Sequence, residues 1–305
     1  MTFSKISIFI ISVIFLFSCK KEKDPVYSEL LIENWDNSKD AVFDTLHVPQ
    51  HLRDIVKHIS TINTYQTGDI GKGTEKPANA ENFKKLVELA SEDELLSLIN
   101  NKNITVAVYA SVGLLERKPE LIDKVFSNFL NLKTKVHTEY GCIVGDQNPA
   151  EPLYRKYLYA IPGKNRQSDQ LLKKLDSIII FNPNSPKNLL LEVFRYKNYP
   201  ENYRKRIETL AFKNHEIFAA IYLSHWHKGD YIDALQKEFI SIIKNDTLVG
   251  ISKDIYLKEL LSFRNPSNKE FILNYIKKDT LFSDEIEIRR ELEANDIFPD
   301  EYPTR

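Results

Sequence analysis

The chain has 305 residues, with 42 Lys and Arg against 43 Asp and Glu, and 42% of its side chains are apolar. A chain of this length buries a large core as one long or two short domains. Its balanced charge lacks the basic excess that neutralises phosphates, so no nucleic-acid partner is expected. Nine glycines are fewer than the turns of a sheet protein usually require, and the expected fold class is all-α.

Lys5 precedes an apolar run from Ile6 to Phe17, and Leu16-Phe17-Ser18-Cys19 leads directly into Lys20-Lys21-Glu22-Lys23-Asp24. The run is about twelve residues, short of the roughly 20 that a membrane-spanning helix needs. Its length and the cation before it suit the core of a cleaved export signal. With Leu16 three residues before Cys19 and Ser18 next to it, the segment resembles a bacterial lipoprotein signal peptide. Phe17 is bulkier than is usual at its position. A plain secretory signal, with Cys19 incidental, is the alternative. The resemblance implies that residues 1–18 are removed and that Cys19 is the lipidation site. It further implies an envelope protein held by palmitate-type chains in the outer membrane, facing the periplasm or the cell surface. Each buried CH₂ of such an anchor contributes about 0.8 kcal/mol. Removing residues 1–18 takes away Lys5 and no acid, which leaves 41 bases against 43 acids. With Cys19 acylated, Cys142 has no partner for an intramolecular disulfide, and stability must come from packing.

Residues 20–48 are polar and weakly patterned, and they read as a tether. Leu52, Ile55, Val56 and Ile59 have helical spacing, which predicts a helix over 49–60. Gly68, Gly71, Gly73 and Pro77 predict a loop over 64–80. From Glu81 onward helices should follow one another closely. Ser91 and Glu94 have the spacing of a capping box. Asn103 is placed to cap the next helix, and Pro119 opens a third from a first-turn position. That third helix carries the apolar stripe Leu121, Ile122, Val125, Phe126, Phe129 and Leu130. Further helices are predicted over 168–181, 186–196, 201–212, 215–227, 230–244, 252–263, 267–277 and 284–292. Lys197-Asn198, Lys213-Asn214 and Lys244-Asn245 read as helix ends, because Lys suits the negative end and Asn tolerates the left-handed conformation there. The expected organisation is signal peptide 1–18, tether 19–48, helix and loop 49–80, helical-repeat domain 81–295 and C-terminal tail 296–305.

A shift of 30 residues aligns Leu95 with Val125, Ile99 with Phe129, Val106 with Val136 and Ala110 with Tyr140. Each unit then reads as an apolar helix, a polar Asn/Lys turn and a second helix begun by Val. The segment from Leu98 to Ala110 resembles a short HEAT-like repeat, with Ala107 and His137 where such repeats usually carry Arg. The run His137-Thr138-Glu139-Tyr140-Gly141-Cys142 is similar to HEAT-like lipoproteins of the Bacteroidota, a resemblance that implies no activity. It implies an α-solenoid of stacked antiparallel helix pairs, since so short a repeat cannot bury its own face. An irregular helical bundle is the alternative.

Candidate chemistry is sparse. His225-Trp226-His227 invites a metal reading, but residues two apart on a helix point about 200° from each other. A helix end with Trp226 as packing anchor is the expectation. His137, Glu139 and Cys142 offer a base, an acid and a thiol, and a buried, inert Cys142 is expected, because no Lys or Arg adjoins it in sequence to lower its pKa. Gly68-Asp69-Ile70-Gly71-Lys72-Gly73-Thr74 lacks the Gly-Lys-Ser/Thr run of a phosphate loop. His47, His51 and His58 are scattered. No catalytic motif, cofactor or metal set is expected. The function expected is a lipid-anchored interaction scaffold for a protein or peptide partner. A small-molecule or glycan-binding uptake lipoprotein and an enzyme with a dispersed site are the alternatives.

Overall fold

Fourteen α-helices and one small sheet account for most of residues 37–67, 76–141, 143–195, 197–245, 253–278 and 286–302, which the computed structural model describes. The helical class expected from composition holds. The helices are α1 (Arg53–Ile62), α2 (Ala78–Leu89), α3 (Glu92–Leu98), α4 (Ile104–Arg117), α5 (Ile122–Leu130), α6 (Ala150–Ala160) and α7 (Gln170–Phe181). They continue as α8 (Lys187–Phe194), α9 (Arg204–Phe212), α10 (Ile217–His227), α11 (Ile232–Asn245), α12 (Lys253–Leu261), α13 (Lys269–Lys278) and α14 (Ile286–Glu293). The strands are β1 (Tyr65–Thr67), β2 (Val136–Tyr140) and β3 (Ile143–Gln147), in the order β1-β2-β3. The chain divides into two compact units, Met1–Gly113 with Val136–Asp146, and Leu114–Lys135 with Gln147–Arg305.

The helix ends follow the sequence logic. Ser91 and Glu94 close a reciprocal capping box at α3. The Asn103 side chain accepts the Val106 amide at 3.1 Å. Pro119 opens a 3₁₀ turn, Pro119–Leu121, that leads into α5. On α5 the stripe Ile122, Val125, Phe126, Phe129 and Leu130 is buried as its spacing requires.

In the first unit α1 packs on α2, and α2 on β1. β1 runs parallel to β2 in the register Tyr65 to Thr138, Gln66 to Glu139 and Thr67 to Tyr140. β2 and β3 are joined through Gly141 at φ 60°, a connection short enough only for a hairpin. Tyr109 on α4 binds β1 through its hydroxyl, which accepts the Gln66 amide at 2.8 Å and donates to the Gln66 carbonyl at 3.1 Å. Its ring lies 4.8 Å from that of Tyr65 and 5.3 Å from that of Phe83. Gly113 permits the close packing here, since a Cβ would sit 2.9 Å from Val87 Cγ2.

In the second unit α5 packs on α6 and α7, α6 on α7 and α8, and α7 on α8 and α9. The pattern continues through α8 on α10, α9 on α10 and α11, and α11 on α12. The contacts thus run mainly between helices that are neighbours along the chain, as short loops require.

Four expectations need correction. Val136 does not begin a helix: Val136, Thr138 and Tyr140 alternate with His137 and Glu139, and the segment is strand β2. The 30-residue shift therefore aligns helix α4 with a strand, and the second half of the apparent repeat does not exist. The loop read over 64–80 contains the partner strand β1, and α2 already starts at Ala78. The stretch 143–167, left without elements, holds β3 and α6. At the end of α9 the left-handed residue is His215 at φ 54°, not Asn214, whereas Asn63 takes that role after α1 at φ 51°.

Candidate functional site

The polar residues that converge most tightly lie in the second unit, around a carboxylate that the helix pattern buries. Asp169 caps α7, accepting the Leu172 amide at 2.8 Å and the Tyr157 hydroxyl at 3.0 Å. From that cap the inward stripe runs Leu172, Leu175, Asp176, Ile179 and Ile180. Asp176 thus occupies a core position. It is compensated by the Lys197 ammonium at 2.6 Å, the Tyr154 hydroxyl at 2.6 Å and the Tyr199 hydroxyl at 3.1 Å. Lys197 also donates to the Tyr154 oxygen at 3.1 Å.

Lys197 is only 5% exposed. Burial pushes its ammonium below the ordinary lysine range, and the Asp176 charge opposes this. Burial likewise raises Asp176 above the usual carboxylate range, against the pull of Lys197. Tyr154 and Tyr199 are raised far up, first by burial and then by the Asp176 charge. The pair is costly to bury and is held by the three donors to Asp176.

Two connecting segments carry this network to the surface. Gln167, between α6 and α7, donates from its side-chain amide to the Asn198 carbonyl at 2.7 Å. Tyr222 on α10 accepts the Tyr199 amide at 2.9 Å and donates to the Asn198 side chain at 3.1 Å. So braced, the segments wall a cleft of about 650 Å³ whose lining includes Lys164, Arg166, Lys173, Lys197, Tyr199 and Tyr203. Tyr199 stacks on Tyr203 with centroids 5.4 Å apart and meets Phe194 edge-on at 6.1 Å, which stiffens the aromatic wall. A second hollow of about 290 Å³ shares Arg166, Gln167 and Lys197 and adds Tyr159, Glu192 and Arg195. The Arg166 guanidinium lies 5.7 Å from the Tyr159 ring centre. Four cations against Asp176 in the larger cleft make a positive, donor-rich recess with an aromatic side. The size falls in the range of small-molecule sites.

The residues singled out from sequence lie elsewhere. Cys19, Cys142 and the Gly68 to Thr74 segment fall outside the described residues. His137 and Glu139 share a face of β2 but bind different partners. His137 Nε2 meets Asp40 at 2.9 Å, and its Nδ1 meets Asp146. Glu139 accepts from the Gln66 side chain at 2.7 Å. Burial alone would lower the His137 pKa, but hydrogen bonds and charge from Asp40 and Asp146 outweigh it and hold the imidazolium above its ordinary range. His227 faces Arg204 at 3.0 Å, and His225 meets the edge of Trp226. Trp226 is 40% exposed, so it does not anchor packing there. His51 lies 3.5 Å from Glu94, while His47 and His58 are exposed. Among the described residues no group of three or more His, Cys, Asp or Glu is placed to hold a metal ion, and no helix is long and apolar enough to cross a membrane.

The sequence marks Lys197 only as a helix end and passes over Asp176, although Asp176 leaves a trace. A carboxylate amid Leu172, Leu175, Ile179 and Ile180 breaks an apolar face, and a charge there demands a buried partner. Nothing local identified Lys197 as that partner, 21 residues further on. Compared with known protein families, curated proteins and solved structures, the chain finds no match in any of the three.

Proposed function

We propose that this chain is a lipid-anchored envelope protein that binds a small anionic ligand, such as an acidic sugar or another carboxylate, in the cleft beside Lys197. The observation that carries the reading is the convergence of Lys164, Arg166, Lys173 and Lys197 on one recess walled by Tyr199 and Tyr203. Ammonium and guanidinium groups recognise carboxylate and phosphate oxygens by charge-assisted hydrogen bonds. Tyrosine rings offer a flat apolar surface to the other side of a ligand. The address rests on the Leu16-Phe17-Ser18-Cys19 signal. The scaffold reading, with a protein or peptide partner, draws on the succession of short helices in the second unit; an acidic peptide would use the same cations.

Calorimetric titration of the mature chain with glucuronate, a Glu-rich peptide, phosphate and neutral glucose tests this. Glucuronate should bind and glucose should not. Lys164 and Lys173 are exposed, so Lys164→Ala with Lys173→Ala should keep the fold and weaken binding about tenfold, near 1.4 kcal/mol. Binding of the peptide alone would favour the scaffold. Equal behaviour of the variant and the natural chain would exclude the cleft as the site.

A further inference from the structure

The stretch from Asn37 to Val48 is a strap fastened by its backbone and polar groups while Val42, Phe43 and Leu46 stay exposed. Asn63 donates to the Asn37 carbonyl at 2.9 Å and to the Asp40 carboxylate at 2.9 Å. Asn103 donates to the Val42 carbonyl at 3.1 Å, and Asn101 to the Asp44 carbonyl at 2.9 Å. Both acids of the strap have partners within the unit. Asp40 meets Asn63 and His137, and Asp44 accepts the Lys102 amide at 3.1 Å and the Leu46 amide at 3.2 Å. The far end is sealed by Val48, which is buried. Between these fixings Val42, Phe43 and Leu46 are 46%, 56% and 67% exposed, with Lys39 exposed beside them.

A segment held this firmly does not hide its large apolar groups by local collapse, and Val42, Phe43 and Leu46 are left available to an apolar surface. The occupant follows from the chain that precedes the strap. Residues 20–36 separate Asn37 from Cys19. At most about 3.6 Å per residue, they let the strap stray no more than roughly 60 Å from an acylated Cys19. The strap is therefore the described part of the chain closest in sequence to the bilayer.

We propose that Val42, Phe43 and Leu46 dip into the surface of the membrane that holds the lipid anchor, with Lys39 at the level of anionic headgroups. The arrangement joins two weak membrane signals, an acyl anchor and an apolar contact, and orients the first unit on the bilayer. This inference rests on the lipid-anchor reading.

The test uses the full mature, acylated chain on vesicles of phosphatidylethanolamine and phosphatidylglycerol with brominated acyl chains. Co-sedimentation reports the anchor. The emission of Phe43→Trp, taken as the difference from the natural chain with its Trp35 and Trp226, reports the strap. Leu46→Trp repeats the measurement at a second exposed position. The expected result is co-sedimentation with a blue-shifted emission that brominated lipid quenches in both variants. Co-sedimentation with unshifted, unquenched emission overturns the membrane contact and leaves the anchor standing. Failure to co-sediment overturns the anchor reading and this inference with it.

Discussion

Each unit holds a cation among carboxylates or hydroxyls, and the two do so in opposite surroundings. In the second unit Lys197 and Asp176 are sunk in the core, with side chains 7% and 2% exposed. In the first unit His137 is 21% exposed and its partners Asp40 and Asp146 are 63% and 59% exposed. The buried pair is desolvated, so its geometry must hold and its loss is expensive. The exposed triad is screened by water, so its strength is modest but its charge state follows the solvent. Burial sets what the loss of each network costs, and the imidazole makes the exposed one follow the pH.

The largest expected effect comes from splitting the buried pair. Lys197→Met leaves Asp176 without its cation and should cost about 3–5 kcal/mol in urea unfolding. Adding Asp176→Asn to it should recover most of that loss, because the uncompensated charge is then gone. A double variant as unstable as the single one would show that Lys197 acts mainly through packing.

A middle-sized effect belongs to Tyr109, which ties α4 to β1 without any charge. Tyr109→Phe leaves the Gln66 amide and carbonyl unsatisfied in a buried setting and should cost about 1–3 kcal/mol. Hydrogen exchange at the Gln66 amide should quicken in the same variant. Unchanged exchange would mean that the strand is held by other groups.

The smallest effect is expected at His137. Both ring nitrogens donate to carboxylates only when the ring is protonated, and that state is favoured in the folded chain. A raised folded pKa means that the stabilisation is complete below about 6.5, the unfolded value, and fades as pH rises through the folded value. At pH 6, His137→Gln should cost about 1 kcal/mol, a figure kept low by the exposure of Asp40 and Asp146. Above the folded pKa the difference should vanish. A cost independent of pH would place the role of His137 in its shape and not its charge.

Much of the second unit was legible because a helix writes its own pattern. The α5 stripe and the helix starts after Pro186, Pro200 and Pro266 depend on residues three or four apart, as does the Ser91 and Glu94 box of the first unit. The sheet was far less legible. Val136, Thr138 and Tyr140 do alternate with His137 and Glu139, but five residues beside a helical repeat spacing left the shorter period outweighed. Their partner strand is only Tyr65–Thr67, within a stretch whose glycines and proline read as loop.

What the sequence by itself determined is the helical class, the Ser91 and Asn103 caps and the apolar stripes, all properties of neighbours along the chain. Only the tertiary structure decided that Asp176 meets Lys197, that Asp40 and Asp146 clasp His137, and that Gln66 joins Glu139, Asn79 and Tyr109. The reason is physical. A stripe tells which side of a helix is buried, since burial depends on local periodicity. It does not tell which distant residue will arrive to satisfy a buried charge, because that depends on how every intervening helix packs.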